Sequence, residues 1–452
     1  MSRAYLKICA LLFLSLLLLT SGKKPVSRDS DVSSDSVYSL VGYTFSEFRV
    51  SLALCSTQSR QYVAYYDTLK QMTIAQRNLP DGPWKEVKLD SWIGWDSHNS
   101  IVMISDSAGR IHISGNMHVS PLNYFMTDET GDISTLRRLD SLIGSQESRT
   151  TYPAFLPLPD GRLIFHYRNG SSGAGEEIYN VCSPEGEWSR YIDTPLADGL
   201  GRMNAYMTEP QLGPDKMYHM IWVWRNSSDC STNHDLSYAK SPDLIHWYNV
   251  FGEPLRLPIT IDQEGMIVDP VKVGGGLLNG TPRLSFDANR RPMITYFKYD
   301  QNGNTQIYLA RFEDGDWHIA CLTDWDFRWD LVGGGSLKRE LWTYAAKPDG
   351  PQDILVPFKR VDSKGAIEPK EIIVDAETLE PVSIRKEKPV LPKWFFEIDH
   401  PYTSDMMVNY TGDRGRTDYG GYMLRWESRP ANRDQKVDEK TPPVDVRVVK
   451  IR

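Results

Sequence analysis

The residues whose types could perform acid–base chemistry begin with two histidines. His98 lies in the segment DSHN at 96–99, and His118 lies in the segment NMH at 116–118. A strand, a turn and a second strand fit between them, so a β-hairpin would bring both imidazoles to one rim. Imidazole titrates near neutral pH and can therefore accept or donate a proton. His112, between the two, lies in an alternating apolar run and could instead be a packed core residue.

Two tyrosines and an arginine complete this constellation. Tyr152 precedes Pro153, Arg168 lies in YRNG at 167–170, and Tyr206 ends the segment NAY at 204–206. An arginine can neutralise a carboxylate while a histidine or tyrosine removes the proton on the adjacent carbon, and a second such group protonates the leaving oxygen. These residue types therefore favour β-elimination from a uronic acid.

The same residues have structural interpretations as well. Each histidine could hydrogen bond to a turn, and each tyrosine could be a packing aromatic. Arg168 could form a salt bridge with Glu176 or Glu177 on the following strand.

The elements that must position these residues are short strands. Apolar runs such as QYVAYY at 61–66 and RLIFHY at 162–167 are bounded by turns such as LPDGR at 158–162. The pattern of strand, turn and strand returns roughly every 50 to 60 residues, with the first repeat near 40–90, which is typical of propeller blades. The segment Ser241–Trp247 partly matches the turn of Asp-box propellers.

We therefore expect an all-β protein that is a single seven-bladed β-propeller. Six or eight blades also fit the pattern, and two β-sandwich domains are the alternative architecture. A Pro/Ser-rich linker would favour two domains, and the sequence has none between 40 and 430. In a propeller the inner strands start near a central channel, where polar residues of successive blades converge.

Composition limits the class of ligand. The chain has 452 residues, 40% of them apolar and 24% charged, and its formal net charge is −8. Such a charge excludes a general nucleic-acid binder, whose affinity rests on neutralising phosphates. An anionic ligand would require a local basic pocket.

The N-terminus predicts export. Arg3 and Lys7 precede the apolar run 8–19, which is followed by the small residues 20–22, the order of a cleavable signal peptide. We expect a signal peptide at 1–22, a flexible linker at 23–38 and a catalytic propeller domain at 39–452. The apolar run is shorter than a typical membrane-spanning helix, so the mature protein is expected to be secreted or periplasmic.

Several blocks of the sequence resemble a known family. They are VGYTF…QYVAYYD at 41–67, D-x-HN…G-x-IH…N-x-H-x-x-PL at 96–122, YRNGSSGAG at 167–175, NAY at 204–206, NHDLSYAKSPD at 233–243 and RWESRPANRD at 425–434. Together they resemble secreted bacterial propeller proteins labelled as neuraminidase-repeat proteins, and among these they are most similar to the seven-bladed ulvan lyases. The resemblance covers nearly all of the mature chain.

This resemblance implies a site and a reaction. The catalytic residues would be His98 or His118 as base, Tyr206 as acid or proton shuttle, Arg168 as the clamp on the carboxylate, and Tyr152 beside them. The substrate would be bound by Arg168 and by three asparagines, which are Asn99, Asn116 and Asn204. The expected activity is cleavage of an ulvan-like polymer of rhamnose and uronate, with 4,5-unsaturated uronate ends as products.

A second, fainter cluster could hold a metal. Cys230 lies four residues before His234, and Cys182 comes from the preceding repeat. Thiolate and imidazole ligands suit a structural zinc, and the resemblance implies such a zinc near the cleft. A Cys182–Cys230 disulfide and two unrelated buried thiols are the alternatives. No cofactor is expected to be required for the chemistry.

Two other functions remain open at this point. A glycoside hydrolase could use the same scaffold, and it would be either a rhamnosidase acting on rhamnose-glucuronate or a sialidase. The segment Phe48-Arg49-Val50 faintly resembles the first arginine motif of sialidases. The other alternative is a carbohydrate-binding propeller without catalytic activity. In every case the expected partner is an anionic polysaccharide, with neither nucleic acid nor a membrane span, and the chain is expected to be a monomer.

Overall fold

The computed structural model describes residues 38–363, 365–388 and 391–451. The predicted signal peptide at 1–22 and all but the last residue of the predicted linker at 23–38 lie outside this part of the chain. Within it, no helix has the length and apolar character needed to cross a membrane.

Strands dominate the described chain, which confirms the predicted all-β class. In chain order they are β1 (Tyr38–Thr44), β2 (Ala53–Ser56), β3 (Arg60–Tyr66), β4 (Gln71–Asn78), β5 (Lys85–Trp92), β6 (Ile101–Ser105), β7 (Ile111–Gly115), β8 (His118–Ser120), β9 (Tyr124–Met126), β10 (Arg137–Leu139), β11 (Thr150–Pro157), β12 (Leu163–Ser171), β13 (Ala174–Cys182), β14 (Trp188–Arg190), β15 (Asn204–Met207), β16 (Gln211–Leu212), β17 (Tyr218–Arg225), β18 (Asn233–Ser241), β19 (Ile267–Asp269), β20 (Arg283–Phe286), β21 (Pro292–Tyr299), β22 (Thr305–Glu313), β23 (Asp316–Cys321), β24 (Leu341–Thr343), β25 (Lys347–Asp349), β26 (Asp353–Val361), β27 (Ile367–Asp375), β28 (Pro381–Lys386), β29 (Met407–Gly412), β30 (Gly421–Ser428) and β31 (Val444–Ile451). Three short 3-10 helices lie at Ile133–Thr135, Cys230–Thr232 and Lys393–Phe396.

The described strands form seven antiparallel sheets of four or five strands each. In chain order the sheets contain β2–β5, then β6, β7, β9 and β10, then β8 with β11–β14, then β15–β19, β20–β23, β24–β28, and finally β29–β31 with β1. Most strands therefore pair with their neighbours in sequence. The exceptions are β8, which joins the third sheet, and β1, which joins the seventh.

The first strand differs from the sequence analysis, which placed residues from 40 onward in the first repeat. β1 pairs with β31 instead, from Tyr38 opposite Val449 to Thr44 opposite Val444. This pairing covers the edge of β31 and brings Val41 into the same buried cluster as Val446. The two ends of the described chain therefore meet in one sheet.

The first six sheets contact one another in the order of the chain. β2 contacts β6, β6 contacts β11, β13 contacts β15, β17 contacts β20 and β21 contacts β24, and the first sheet also contacts β29 and β30 of the seventh. The ammonium of Lys359 in the sixth sheet lies 5.7 Å from the ring centre of Phe396, in the 3-10 helix that precedes β29. Buried aromatic and β-branched side chains fill the spaces between the sheets.

Aspartates stabilise the tight turns of the hairpins. In the turn at 105–110, one oxygen of Asp106 accepts hydrogen bonds from the backbone of Ala108 and Arg110. Asp287 does the same for the turn at 286–291. A short carboxylate that binds the backbone two and four residues later favours a turn over a continuing strand, which explains the recurrent aspartates.

Candidate active site

A cleft of about 1040 Å³ contains most of the residues that the sequence analysis singled out. His98, Tyr152, Arg168, Asn204 and Tyr206 all line it. They come from the loop before β6 and from β11, β12 and β15. Strands of the third and fourth sheets therefore bring together side chains that are more than a hundred residues apart in the chain.

The two histidines lie side by side, with their ring centres 4.5 Å apart. Asp96 holds both of them, because one of its oxygens lies 3.0 Å from Nδ1 of His98 and the other bonds Nδ1 of His118. His98 Nδ1 is also 3.0 Å from a carboxylate oxygen of Asp434. With both Nδ1 atoms directed at carboxylates, the Nε2 atoms are the ones that remain for a substrate.

These contacts determine the protonation of His98. Burial alone lowers the pKa of an imidazole, but the hydrogen bonds and charges of Asp434 and Asp96 raise the pKa of His98 to about 9. Burial opposes ionisation of Asp96, yet hydrogen bonds from His118 and His98 keep its pKa well below the usual range. At neutral pH, His98 is therefore an imidazolium paired with two carboxylates.

β8 explains how His118 reaches this position. The strand leaves the second sheet and pairs with β11, with His118 opposite Thr151. The hydroxyl of Thr151 accepts a hydrogen bond from the backbone of Val119, whose φ is 54°. His118 does not itself line the cleft, but 26% of its side chain is exposed.

Tyr152 is displaced from its strand by an irregularity in the sheet. The register between β11 and β12 shifts between Thr151 and Ala154, and Tyr152 has a φ of 55° in the left-handed region. A bulge re-aims the side chain that it carries, and strained backbone of this kind clusters at functional sites. The Tyr152 ring lies 6.0 Å from those of both His98 and Tyr206. Burial, and then the neighbouring Tyr206, raise the pKa of Tyr152, so its phenol is neutral.

Arg168 is the most deeply buried of the cleft's candidate residues, with 1% of its surface exposed. Its Nη1 donates to the hydroxyl of Tyr206 at 3.2 Å, and its guanidinium carbon lies 5.0 Å from the ring centre of Tyr152. Its Nε and Nη2 atoms are buried without a hydrogen-bond partner in the described chain. Buried guanidinium donors are normally satisfied, so these two are free for a ligand.

The salt bridge considered for Arg168 does not form. Glu177 lies 3.4 Å from Nδ1 of His166, and Glu176 accepts hydrogen bonds from Asn169 and Gln146. Both carboxylates are thus directed at other groups.

The three candidate asparagines occupy different environments. Asn204 lines the cleft and packs so closely against Gly175 that a Cβ there would lie 2.0 Å from its Oδ1. Asn116 lies outside the cleft lining and donates to Ser91 and to the carbonyl of Trp92, both at 2.9 Å. Asn99 is also outside the lining, and its Oδ1 is buried without a partner in the described chain. Asn204 is therefore the asparagine best placed to contact a ligand.

Sequence analysis missed most of the positive charge of the cleft. Six arginines and two glutamates line it, namely Arg49, Arg168, Arg225, Arg283, Arg339, Arg414, Glu177 and Glu209. Glu209 is neutralised by Arg414, which donates to both of its oxygens at 2.8 and 3.0 Å. On a chain of net charge −8, this is the local basic pocket that an anionic ligand requires.

The predicted zinc ligands are not brought together. Cys182 packs with the aromatic core that contains Tyr124 and Phe165, whereas Cys230 belongs to a different core, with Trp329. The ring nitrogens of His234 are held by Asp235 and Asn226, each at 2.8 Å. Both cysteines are free thiols, which also rules out the disulfide. The spacing in sequence suggested a cluster, but the two thiols lie in separate cores. The structure therefore fits the alternative of two unrelated buried thiols.

Another group could hold a metal ion. Among the described residues, Asp96, His98 and His118 form the one set of three ligating side chains whose donor atoms all lie within 4.8 Å of one another. A metal ion there would have to replace the protons that link the two Nδ1 atoms to Asp96.

Comparison with known proteins agrees with this architecture. The sequence profile of the BNR repeat-containing family matches residues 60–325. Among solved structures, polysaccharide lyase Uly1 has a TM-score of 0.59 at 13% identity, over 94% of both chains. The polysaccharide lyase PL25-Ulvanlyase bound to -[GlcA(1-4)Rha3S]- has a TM-score of 0.58 at 15% identity, over 91% of this chain and 95% of that one. No curated protein sequence matches significantly.

Proposed function

The chain belongs to the BNR repeat-containing family, and from that premise we propose that it is an exported polysaccharide lyase acting on a uronate-containing polymer. Residues 39–452 would form a single seven-bladed β-propeller behind a signal peptide at 1–22. The seven sheets, the contacts between them and the pairing of β1 with β31 support this architecture. The fold shared with polysaccharide lyase Uly1 and PL25-Ulvanlyase supports the choice of reaction.

The environment of Arg168 is the observation that carries the proposal. A buried guanidinium with two unused donors is costly unless a ligand supplies the missing acceptors and charge. A uronate carboxylate supplies both, and a bidentate pair with it would fix the sugar in place. Neutralising that carboxylate also makes the proton on the adjacent carbon more acidic, which is the first requirement of β-elimination.

The hydrogen bonds of the histidine pair support a choice of base. Because the pKa of His98 is raised to about 9, its imidazole already carries a proton at neutral pH. His118 Nδ1 is bonded to Asp96, and in the tautomer that donates Nδ1–H to this carboxylate its Nε2 carries the lone pair that accepts a proton. We therefore assign His118 as the base that removes the C5 proton, and His98 as the charged neighbour that fixes Asp96.

Tyr206 is the acid in this proposal. Its oxygen accepts a hydrogen bond from Arg168, so its own proton is free to be donated to the leaving oxygen. The C5–H electrons form the C4–C5 double bond, the C4–O bond breaks, and the phenol protonates the departing glycosidic oxygen. No water is consumed, and the new end is a 4,5-unsaturated uronate.

The cleft also favours a polymer over a single sugar. Its volume of about 1040 Å³ lies at the top of the range of about 300–1,000 Å³ found for small-ligand pockets. Its arginines suit repeated anionic groups, and PL25-Ulvanlyase binds -[GlcA(1-4)Rha3S]-. We therefore expect the substrate to be a rhamnose-uronate polysaccharide of the ulvan type, bound by a monomer and cleaved without a required cofactor.

A glycoside hydrolase is the second candidate function, and one observation favours it. Arg49 lies in the cleft with Arg283 and Arg339, and a sialidase needs three arginines to hold the carboxylate of its substrate. It also needs a tyrosine paired with a glutamate. The tyrosines that line the described cleft, Tyr152 and Tyr206, have no hydrogen bond to a glutamate. The lyase accounts for more of the site.

The proposal is tested by incubating the purified protein with a panel of acidic polysaccharides that includes ulvan. Rising ultraviolet absorbance from an unsaturated uronate with ulvan supports it. Release of a reducing sugar without that absorbance would support the hydrolase instead. Polymer binding without any cleavage would support a carbohydrate-binding propeller.

A further inference from the structure

A second group of cleft residues takes no part in the elimination. Arg49 lies in the loop between β1 and β2, Arg283 begins β20, and Arg339 precedes β24. All three line the same cleft as Arg168. Arg283 lies in the fifth sheet, and Arg49 and Arg339 lie in the loops that lead into the first and sixth sheets. We call these three residues the arginine group.

The arginine group has no counter-charge within the described chain. None of its members forms an ion pair there. Nη1 of Arg283 donates to the carbonyls of Gly280 and Pro282 at 3.0 and 2.9 Å, while Arg49 and Arg339 have no hydrogen-bond partner in that part of the chain. The nearby Arg414, by contrast, is paired with Glu209 through two hydrogen bonds.

The charges are also close enough to repel one another. Burial, and then the positive charges of Arg49 and Arg283, lower the pKa of Arg339 to about 10. Burial lowers the pKa of Arg49 and of Arg283 as well. Tyr344 lies beside all three, but burial raises its pKa, so the phenol is neutral and cancels none of the charge. Three converging guanidinium groups without a carboxylate are therefore costly to the free protein.

We propose that the arginine group is a second anion-binding subsite, which takes a sulfate ester or a carboxylate on another sugar of the polymer whose uronate is held by Arg168. This rests on the proposed function. The planar fork of a guanidinium matches the oxygens of both anions. The cleft has room for more than one sugar.

The subsite makes the enzyme selective for a doubly charged segment. One anion positions the reacting uronate, and the second is bound away from the reacting bond. Because the second contact is the same in the ground state and the transition state, it strengthens binding without accelerating the chemical step. Loss of the arginine group should therefore raise KM and leave kcat nearly unchanged.

The experiment compares Arg339→Gln with a matched control, Arg137→Gln. Arg137 lies exposed on β10, so the control removes the same charge outside the cleft. Both variants are assayed on native ulvan and on chemically desulfated ulvan. We expect Arg339→Gln to raise KM on native ulvan about 10-fold or more, the usual effect of losing one charge-assisted contact, and Arg137→Gln to match the wild type.

The desulfated polymer identifies the anion. If the subsite takes sulfate, desulfation raises the KM of the wild type and Arg339→Gln adds nothing further. If it takes a carboxylate, Arg339→Gln raises KM equally on both polymers. An unchanged KM on native ulvan overturns the subsite.

Two further measurements keep the test independent of folding and of catalysis. Arg49→Gln repeats it in a different loop if Arg339→Gln does not fold. Retardation of each variant in gels that contain ulvan measures binding directly. A wild type that is retarded but produces no unsaturated uronate contradicts the proposed lyase alone, whereas equal retardation of the wild type, Arg339→Gln and Arg49→Gln contradicts the arginine group alone.

Discussion

The histidine pair and the arginine group hold their charges in opposite ways. His98 and His118 share Asp96, and His98 also pairs with Asp434. Arg49, Arg283 and Arg339 line the cleft with no carboxylate partner in the described chain. The first arrangement fixes the direction and protonation of each ring before a substrate arrives, and the second leaves charge to be neutralised by the substrate.

This difference separates chemistry from binding. Proton transfer needs groups that are already oriented, because any movement adds to the barrier. Binding of an anion needs only donors and charge, and the anion itself relieves the repulsion among them. Arg168 shares features of both groups, since Tyr206 accepts one of its hydrogens while two of its donor atoms have no partner in the described chain.

Removing Arg168 should have the largest effect. Arg168→Ala eliminates the group that neutralises the uronate, and loss of one preorganised contact of this kind costs about 3 kcal/mol or more, which corresponds to a loss in kcat of at least 100-fold. Arg168→Lys should recover little, because lysine lacks the bidentate fork. Steady-state kinetics measures the loss.

Arg162→Ala is the matched control, since Arg162 lies in the turn before β12 and pairs with Asp160 outside the cleft. It should retain full activity. A folded Arg168→Ala protein that keeps most of its activity would remove Arg168 from the site.

Tyr206→Phe should have the next largest effect, because it removes only the proton that we assign to the leaving oxygen. We expect kcat to fall by roughly 10²-fold or more, the usual contribution of a general acid, with KM little changed. The matched control is Tyr191→Phe, since the hydroxyl of Tyr191 donates to the carbonyl of Asp243 away from the cleft. Near-normal kcat in Tyr206→Phe would exclude this phenol as the proton donor.

The sequence singled out the residues around the histidine pair far better than the arginine group. Alternating apolar runs and Asp-Gly turns indicated an all-β chain. The blocks around His98, Tyr152 and Arg168 indicated residues that line one cleft, because each block is a local pattern of residue types suited to acid–base chemistry. The arginine group comes from two loops and the start of β20, which share no motif, and only the packing of the sheets brings its members together. Asp434 was missed for the same reason, although its segment RWESRPANRD had been singled out.

Two other features show the same limit. The sequence analysis includes most of β1 in the first repeat, near 40–90. Its partner β31 lies at the opposite end of the described chain. Cys182 and Cys230 were grouped by residue type, but each is buried in a different core. Pairing partners and core membership at such separations depend on tertiary structure, which spacing along the chain does not encode.

An effect of similar size is expected on stability, and it depends on pH. The pKa of His98 is raised from 6.5 to about 9, so its charge contributes stability that is complete below pH 6.5 and is lost as pH rises towards 9. A shift of that size corresponds to a free energy of unfolding on the order of 3 kcal/mol. The difference in unfolding free energy between the wild type and His98→Gln, from urea denaturation, should therefore shrink between these pH values. A constant difference would show that His98 is not held as an imidazolium.

The smallest effect is expected for the stability of Arg339→Gln. Arg339 has no partner to lose in the described chain, and its removal relieves repulsion from Arg49 and Arg283. The melting temperature should stay the same or rise slightly, by an amount equivalent to less than about 1 kcal/mol. A clear fall in melting temperature, measured without polymer, would mean that Arg339 is a structural residue and that the arginine group does not differ from the histidine pair as described.

The mass of the product tests the central claim, β-elimination, most directly. The wild type is incubated with a purified ulvan oligosaccharide of known length, and the two fragments are weighed by mass spectrometry, with Arg168→Ala as the blank. Elimination predicts that the fragment masses sum to the mass of the substrate and that the fragment with the new uronate end carries a double bond. Fragments whose summed mass exceeds the substrate by one water would show hydrolysis and contradict the account.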